Sequence, residues 1–105
     1  MEGHAMISPD VVARYAEDAA LEIDGVRNLV APERGRRRHR GARVTQDGDA
    51  VAIELHLEVE WGANVPQVGA SVQSRVVEYL RRMADLTPAS VDVVVDDIGP
   101  PPESA

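Results

Sequence analysis

Three side chains that could bind a metal ion stand at alternate positions of one segment: Glu54, His56 and Glu58. Carboxylates and an imidazole are ligands that ions such as zinc accept. Alternate residues of a β-strand share one face, but they lie about 7 Å apart and fan out rather than converge on one ion. No further ligand stands at a helpful position in the sequence. The spacing therefore favours a solvated strand face, and we expect no metal and no cofactor.

Catalytic chemistry has no better support elsewhere in the sequence. No serine stands beside a histidine and an acid in a recognisable nucleophile turn, and no glycine-rich phosphate motif is present. The neighbouring acids Asp96 and Asp97 could exchange protons with a substrate, yet acidic pairs on a small surface more often serve solubility. The sequence therefore predicts a protein without enzymatic activity and without catalytic residues.

An arginine-rich segment, residues 33–43, is the most unusual feature of this acidic chain. The segment has a net charge of +5, whereas the rest of the 105 residues carries −12. Its arginines are Arg34, Arg36, Arg37, Arg38, Arg40 and Arg43. Three interpretations stay open: a phosphate-binding patch for nucleic acid, a patch for anionic lipid head groups, and a solvated insertion. We favour the insertion because runs of like charge are most often solvated, and because no aromatic residue in the segment could stack on bases.

Composition limits the class of protein. A chain of 105 residues makes one domain of ordinary size. Because cysteine is absent, a disulfide scaffold and a thiolate metal site are both excluded. The N-terminus has no signal-peptide pattern, and no apolar run approaches the ~20 residues that span a bilayer. We therefore expect a cytoplasmic protein that reaches a membrane only through a partner.

The first half of the chain predicts one helix and one short strand. Ser8 and Pro9 fit the N-cap and the first helical position, and Gly25 is a natural stop. Apolar residues recur at helical spacing, which places Glu17 on the solvent side. Residues 26–30 then form a short strand.

The period changes to two after residue 42. The sequence Asp-Gly-Asp at 47–49 predicts a hairpin turn, and residues 51–61 alternate between apolar and polar, with Trp61 as the last inward residue. A second helix is predicted over 65–84, with Met83 on its inward side, and a final strand carries Val91, Val93 and Val95. The order α-β-β-β-α-β predicts an α+β two-layer sandwich, with two helices packed on one face of a small mixed sheet. We expect a flexible N-terminus over 1–6, a single domain over 7–98 and a proline-rich tail over 99–105.

The second half of the chain also carries an ordered set of short motifs. An aromatic-glycine pair ends a strand, a hydrophobic-proline pair opens a helix that contains Val-Gln, and Met-x-x-Leu and a Val-x-Val-x-Val strand follow. The positions are Trp61-Gly62, Val65-Pro66, Val72-Gln73, Met83 to Leu86, and Val91, Val93 and Val95. In this order they resemble the alkaline-shock-protein family of bacterial envelope stress response proteins, also called the general-stress-protein family. The resemblance covers most of residues 7–98.

The resemblance implies a non-enzymatic cytoplasmic protein concerned with cell-envelope homeostasis under stress. Such a protein would be recruited to the inner face of the membrane by a membrane-anchored partner and would be able to self-associate. The resemblance transfers no catalytic, cofactor or metal residues, and it gives Trp61, Gly62, Pro66, Gln73 and Met83 a structural role only. The arginine-rich segment has no counterpart in the family pattern. A nucleic-acid-binding regulator that uses this segment is therefore the alternative function.

Overall fold

Two helices and four strands make up the computed structural model, which describes residues 7–31 and 41–102. Their order is α1 (Pro9–Leu21), β1 (Val26–Leu29), β2 (Ala42–Asp47), β3 (Ala50–Val59), α2 (Val65–Ala84) and β4 (Ser90–Ile98). Both helices pack on one face of a mixed sheet. The predicted α+β two-layer sandwich is therefore confirmed.

β3 is the central strand of the sheet. β4 runs parallel to it along one edge, from the pair Ala52 and Ser90 to the pair Val59 and Ile98. The helix α2 makes the crossover between these two parallel strands, as such a connection requires. On the other edge β2 forms an antiparallel hairpin with β3, and Gly48 adopts a positive φ of 63° in the predicted turn.

β1 and β2 share one edge of β3 end to end rather than lying side by side. β2 pairs with the first half of β3, and β1 pairs with its last three residues. The sheet is therefore only three strands wide in the described ranges, and the arginine-rich segment follows β1 in the chain and ends within β2.

The core lies between the sheet and the two helices. Val51, Ile53, Leu55, Leu57 and Val59 of β3 are all buried, which confirms the predicted alternation over these residues. The helices supply small and branched side chains to the same cluster: Val12, Ala13, Ala16, Ala19 and Ala20 from α1, and Val68, Val72, Val76 and Leu80 from α2. Burial of this aliphatic surface supplies the main stabilisation of the fold, at about 25 cal/mol per Å² removed from water.

The helix starts follow the capping signals in the sequence. The Ser8 hydroxyl accepts a hydrogen bond from the Val11 N–H at 3.3 Å, and the Asn64 side chain accepts one from Gln67 at 3.1 Å. α2 covers the predicted range, residues 65–84. Neither helix of the described ranges 7–31 and 41–102 has the length and apolar character needed to cross a membrane.

Three sequence predictions about element ends and inward side chains are wrong. α1 ends at Leu21, before the predicted stop, and Gly25 instead makes the turn into β1 with a φ of 98°. β3 ends at Val59, so Trp61 lies in the following turn and is 57% exposed rather than inward. Met83 is 50% exposed, whereas Leu80, one turn earlier, is fully buried.

Leu80 and Met83 give a matched test of this packing because they lie one turn apart on the same helix. Leu80→Ala should lower the free energy of unfolding by about 2–5 kcal/mol, since its side chain is fully buried. Met83→Ala should lower it by less than about 1 kcal/mol. Urea denaturation measures both values. Equal losses would show that Met83 faces the core, as the sequence alone suggested.

Candidate functional site

The arginine-rich segment is only partly within the described structure. Arg34, Arg36, Arg37, Arg38 and Arg40 lie outside the described residues. Arg43 lies on β2, where it is exposed and paired in register with Glu54 of β3. The described part of this candidate site is therefore its base on the sheet edge.

That base is formed where the chain leaves β1 and enters β2. The Val30 N–H donates to the His56 carbonyl oxygen at 2.9 Å, and the His56 N–H donates to the Gly41 carbonyl oxygen at 3.0 Å. Val30 and Gly41, which stand on either side of residues 31–40, are thus both bonded to the backbone of a single β3 residue. A Cβ on Gly41 would lie 2.9 Å from the His56 carbonyl oxygen and 3.0 Å from the Leu29 Cβ, so this position has no room for a side chain.

Glu17 supports the same base from α1. The sequence predicted this residue on the solvent side of the helix, but it is buried, with 5% exposure. Its Oε2 accepts hydrogen bonds from the Gly41 N–H at 3.3 Å and from the Ala42 N–H at 3.2 Å. Helical periodicity failed here because a carboxylate that accepts backbone hydrogen bonds can occupy a buried position. Glu17 therefore positions the point where the segment rejoins the sheet.

His56 occupies the sheet face opposite the helices. Its Nε2 lies 2.7 Å from Glu54 Oε2 on its own strand, and its Nδ1 lies 2.6 Å from Asp96 Oδ2 on β4. These contacts raise the pKa of His56, chiefly through the hydrogen bond to Glu54 and then through Asp96, against the opposing effect of partial burial. The sequence placed His56 on this face but missed both contacts. Asp96 is 40 residues away in the chain, and only the parallel register of β4 brings it near.

The arrangement around His56 is not that of a metal centre. The Glu54 and Asp96 carboxylates contact different nitrogens of the ring. They therefore cannot bind the same ion together with one ring nitrogen. In the part of the chain that the structure describes, no group of three or more histidine, cysteine, aspartate or glutamate residues could hold a metal. Geometry on this face favours ionic hydrogen bonding rather than coordination.

The remaining acids singled out in the sequence make local contacts. Glu58 accepts a hydrogen bond from the Asn28 side chain at 3.4 Å and lies 3.9 Å from the Arg27 guanidinium. Asp97 accepts a hydrogen bond from the Ile98 N–H at 2.9 Å. These contacts link β3 to β1 and order the end of β4, which are structural roles.

The family-motif positions also have local structural roles. Gly62 has a φ of 83°, a conformation that favours glycine, and it allows the turn after β3. Pro66 lies in the first turn of α2. The Gln73 side-chain N–H donates to the Val91 carbonyl oxygen at 2.9 Å and so ties α2 to β4. Trp61 and Met83 are the large apolar side chains of the set, and both are exposed.

Comparison with protein families finds a match over nearly the whole chain. The model of the alkaline shock protein family, described by a cell envelope-related function, matches residues 1–100. Two proteins of Bacillus subtilis (strain 168) are similar in sequence. Uncharacterized protein YqhY is 29% identical over 99 residues, which cover 87% of this chain and 73% of YqhY. Uncharacterized protein YloU is 24% identical over 106 residues, which cover 91% of this chain and 88% of YloU.

Solved structures of the MamM CTD share the fold. Its manganese form has a TM-score of 0.61 at 21% identity, over 84% of this chain and 96% of the MamM chain. Its copper form has a TM-score of 0.63 at 18% identity, over 91% of both chains. At this level of identity the likeness concerns the arrangement of helices and strands.

The buried carboxylate at the base of the segment can be tested on α1. Glu17→Ala should lower the free energy of unfolding by about 1–3 kcal/mol, because two buried N–H groups lose their acceptor. Asp18→Ala is the matched control, since Asp18 is the next residue of α1 and is exposed. It should change stability by less than about 0.5 kcal/mol in the same urea titration. Similar small effects for both variants would show that the Glu17 side chain is exposed to solvent.

Proposed function

Because the chain belongs to the alkaline shock protein family, whose function is related to the cell envelope, we propose that it is a non-enzymatic protein of cell-envelope homeostasis. It acts through contacts with other proteins, and a membrane-anchored partner recruits it to the inner face of the membrane. The match of the family model to residues 1–100 carries this proposal. The likeness to the MamM CTD concerns the fold alone, so the proposed function does not include metal binding.

The charge of the chain supports recruitment by a protein rather than by lipid. The formal net charge is −7. The cytoplasmic leaflet of a bacterial membrane is itself anionic, so the acidic body of the protein is repelled from it. A protein partner in the membrane would supply direct contacts that offset this repulsion, which a lipid surface alone would not.

The described surface offers apolar side chains for protein contacts. The exposed members are Val11, Leu21, Trp61, Met83, Val94 and Ile98. Tryptophan and methionine are enriched in protein–protein interfaces relative to the rest of protein surfaces. These side chains support contacts with a partner and between copies of the chain, and self-association is part of the proposal.

A nucleic-acid-binding regulator is the second candidate function. The observation that favours it is the +5 charge of residues 33–43 together with the well-defined base of the segment. The −12 charge of the remaining chain opposes binding of the same polyanion.

Recruitment by a membrane protein can be tested with inverted membrane vesicles from the source organism, whose cytoplasmic face is outward. The purified protein should float with these vesicles in a density gradient at physiological ionic strength. Trypsin treatment of the vesicles before the protein is added should abolish binding, because it removes exposed protein partners. Vesicles made from the extracted lipids alone should bind no protein. Equal binding to these protein-free vesicles would contradict recruitment by a protein.

A variant with serine at Arg36, Arg37, Arg38 and Arg40 is the control for the second candidate. Under the proposed function it should bind the inverted vesicles as the wild type does. Neither protein should shift DNA or RNA in a gel. Micromolar nucleic-acid binding that weakens steeply with salt and is lost in the four-serine variant would instead support the regulator.

A further inference from the structure

Both ring nitrogens of His56 are engaged by carboxylates that lie on two different strands. Glu54 lies two residues earlier on β3, and Asp96 lies near the end of β4. The two nitrogen–oxygen distances, 2.7 Å and 2.6 Å, are those of charge-assisted hydrogen bonds. His56 therefore links the central strand to β4 through its side chain.

The geometry specifies the protonation state of the ring. A neutral imidazole carries one N–H donor, and its other nitrogen is an acceptor. An ionised carboxylate is an acceptor only. Hydrogen bonds from both nitrogens to two carboxylates therefore require the imidazolium, in which both nitrogens donate. If the proton is lost, one ring nitrogen presents a lone pair to its carboxylate oxygen, and that hydrogen bond is no longer possible.

The charged groups around His56 increase the effect of losing that proton. Those on the same sheet face are Glu54 and Glu58 of β3, Asp92, Asp96 and Asp97 of β4, Arg43 and Asp47 of β2, and Arg27 of β1. Arg27 is near Glu58, and Arg43 is in register with Glu54. The Arg27 side chain also lies against Gly99, just after the end of β4. Deprotonation of His56 removes the positive charge that contacts Asp96.

Asp96 stands at a weak point of the parallel ladder between β3 and β4. The register shifts there: Leu57 pairs with Val95, but Glu58 pairs with Asp97, so Asp96 is the extra residue of a bulge. The extra residue of a bulge is left unpaired and the ladder is locally disrupted, so the described contact of Asp96 with β3 is the one that its side chain makes with His56. After the bulge the chain continues through Ile98 to Gly99. The Gly99 N–H donates a hydrogen bond to the Val59 carbonyl oxygen at 2.7 Å.

We propose that His56 is a protonation-dependent latch, which holds the end of β4 and the start of the proline-rich tail against β3. In the charged form the imidazolium bridges Glu54 and Asp96 across the bulge. In the neutral form the bridge to Asp96 is lost, and residues 96–99 loosen from β3. The rest of the sheet, which depends on the buried side chains of β3, stays folded.

The direction of the pH dependence follows from the raised pKa of His56. The latch is fully present below the ordinary histidine value of about 6.5. It is lost as the pH rises through the higher value of the folded protein. The device therefore opens on the alkaline side.

Isoleucine methyl NMR provides a reporter that does not exchange with water. The chain has four isoleucines: Ile7, Ile23, Ile53 and Ile98. Ile98 lies two residues after Asp96, whereas Ile53 is buried in the same sheet and serves as the internal control. The titration uses the full chain with His4→Gln and His39→Gln, so that His56 is the only histidine.

Between pH 6 and pH 9 the His56 ring signals should titrate with a midpoint above about 6.5. The Ile98 methyl signal should shift with the same midpoint, and the Ile53 signal should stay constant. His56→Gln should abolish the Ile98 transition. Asp96→Asn, which keeps the histidine, should lower the His56 midpoint and also abolish the Ile98 transition.

Two results would overturn the latch. One is a His56 midpoint at or below the ordinary value, which would show that the carboxylates do not favour the imidazolium. The other is an Ile98 transition that survives in Asp96→Asn, which would show that the end of β4 responds to a different group. Because Asp96→Asn leaves His56 and the buried core unchanged, the test does not depend on the folding of His56→Gln.

Discussion

Alternate residues of β3 face opposite sides of the sheet, and this two-residue period constrains most of the molecule. Its inward residues form the centre of the aliphatic core against both helices. Its outward residues carry the ionisable groups Glu54, His56 and Glu58. Its backbone pairs with β4 on one edge and with β1 and β2 on the other. A shift of this strand by one residue would exchange its buried and exposed sides, so its register is strongly specified.

The sequence contained enough local signal to predict the elements and their layers. Helix α2 was predicted over its full length because Pro66 and the valine spacing are local features. Errors arose where a long-range contact overrides a local pattern. Glu17 is buried because its carboxylate accepts hydrogen bonds from the backbone N–H groups of Gly41 and Ala42. Trp61 is exposed because β3 ends at Val59, two residues before the apolar–polar alternation of the sequence ends. Neither fact can be read from periodicity.

The candidate site shows the same limit. The position of His56 on the open face was predictable from alternation, but Asp96 depends on the parallel register of β4 and on the bulge within it. The pairing of both Val30 and Gly41 with His56 depends on β1 and β2 sharing one edge of β3. Local sequence specifies strands well, whereas the order and register of strands come from tertiary packing.

Family membership and surface contacts, rather than a reaction centre, support the proposed function. Membership of the alkaline shock protein family places the chain among proteins with a cell envelope-related function. The contacts of Glu17, Glu58, Gln73 and Asp97 join neighbouring elements or order the ends of strands. These four described side chains therefore contact neighbouring elements of the fold, and protein contacts remain the activity that we propose.

Hydrogen bonds to His56 of β3 hold Val30 and Gly41, which stand on either side of residues 31–40. Native-state amide hydrogen exchange at neutral pH is the direct test of this pairing. We expect the His56 and Val30 amides to be protected to a similar degree as the amides of the ladder between β2 and β3. Exchange of these two amides at the rate of an unprotected peptide, while the ladder stays protected, would show that these hydrogen bonds are not formed.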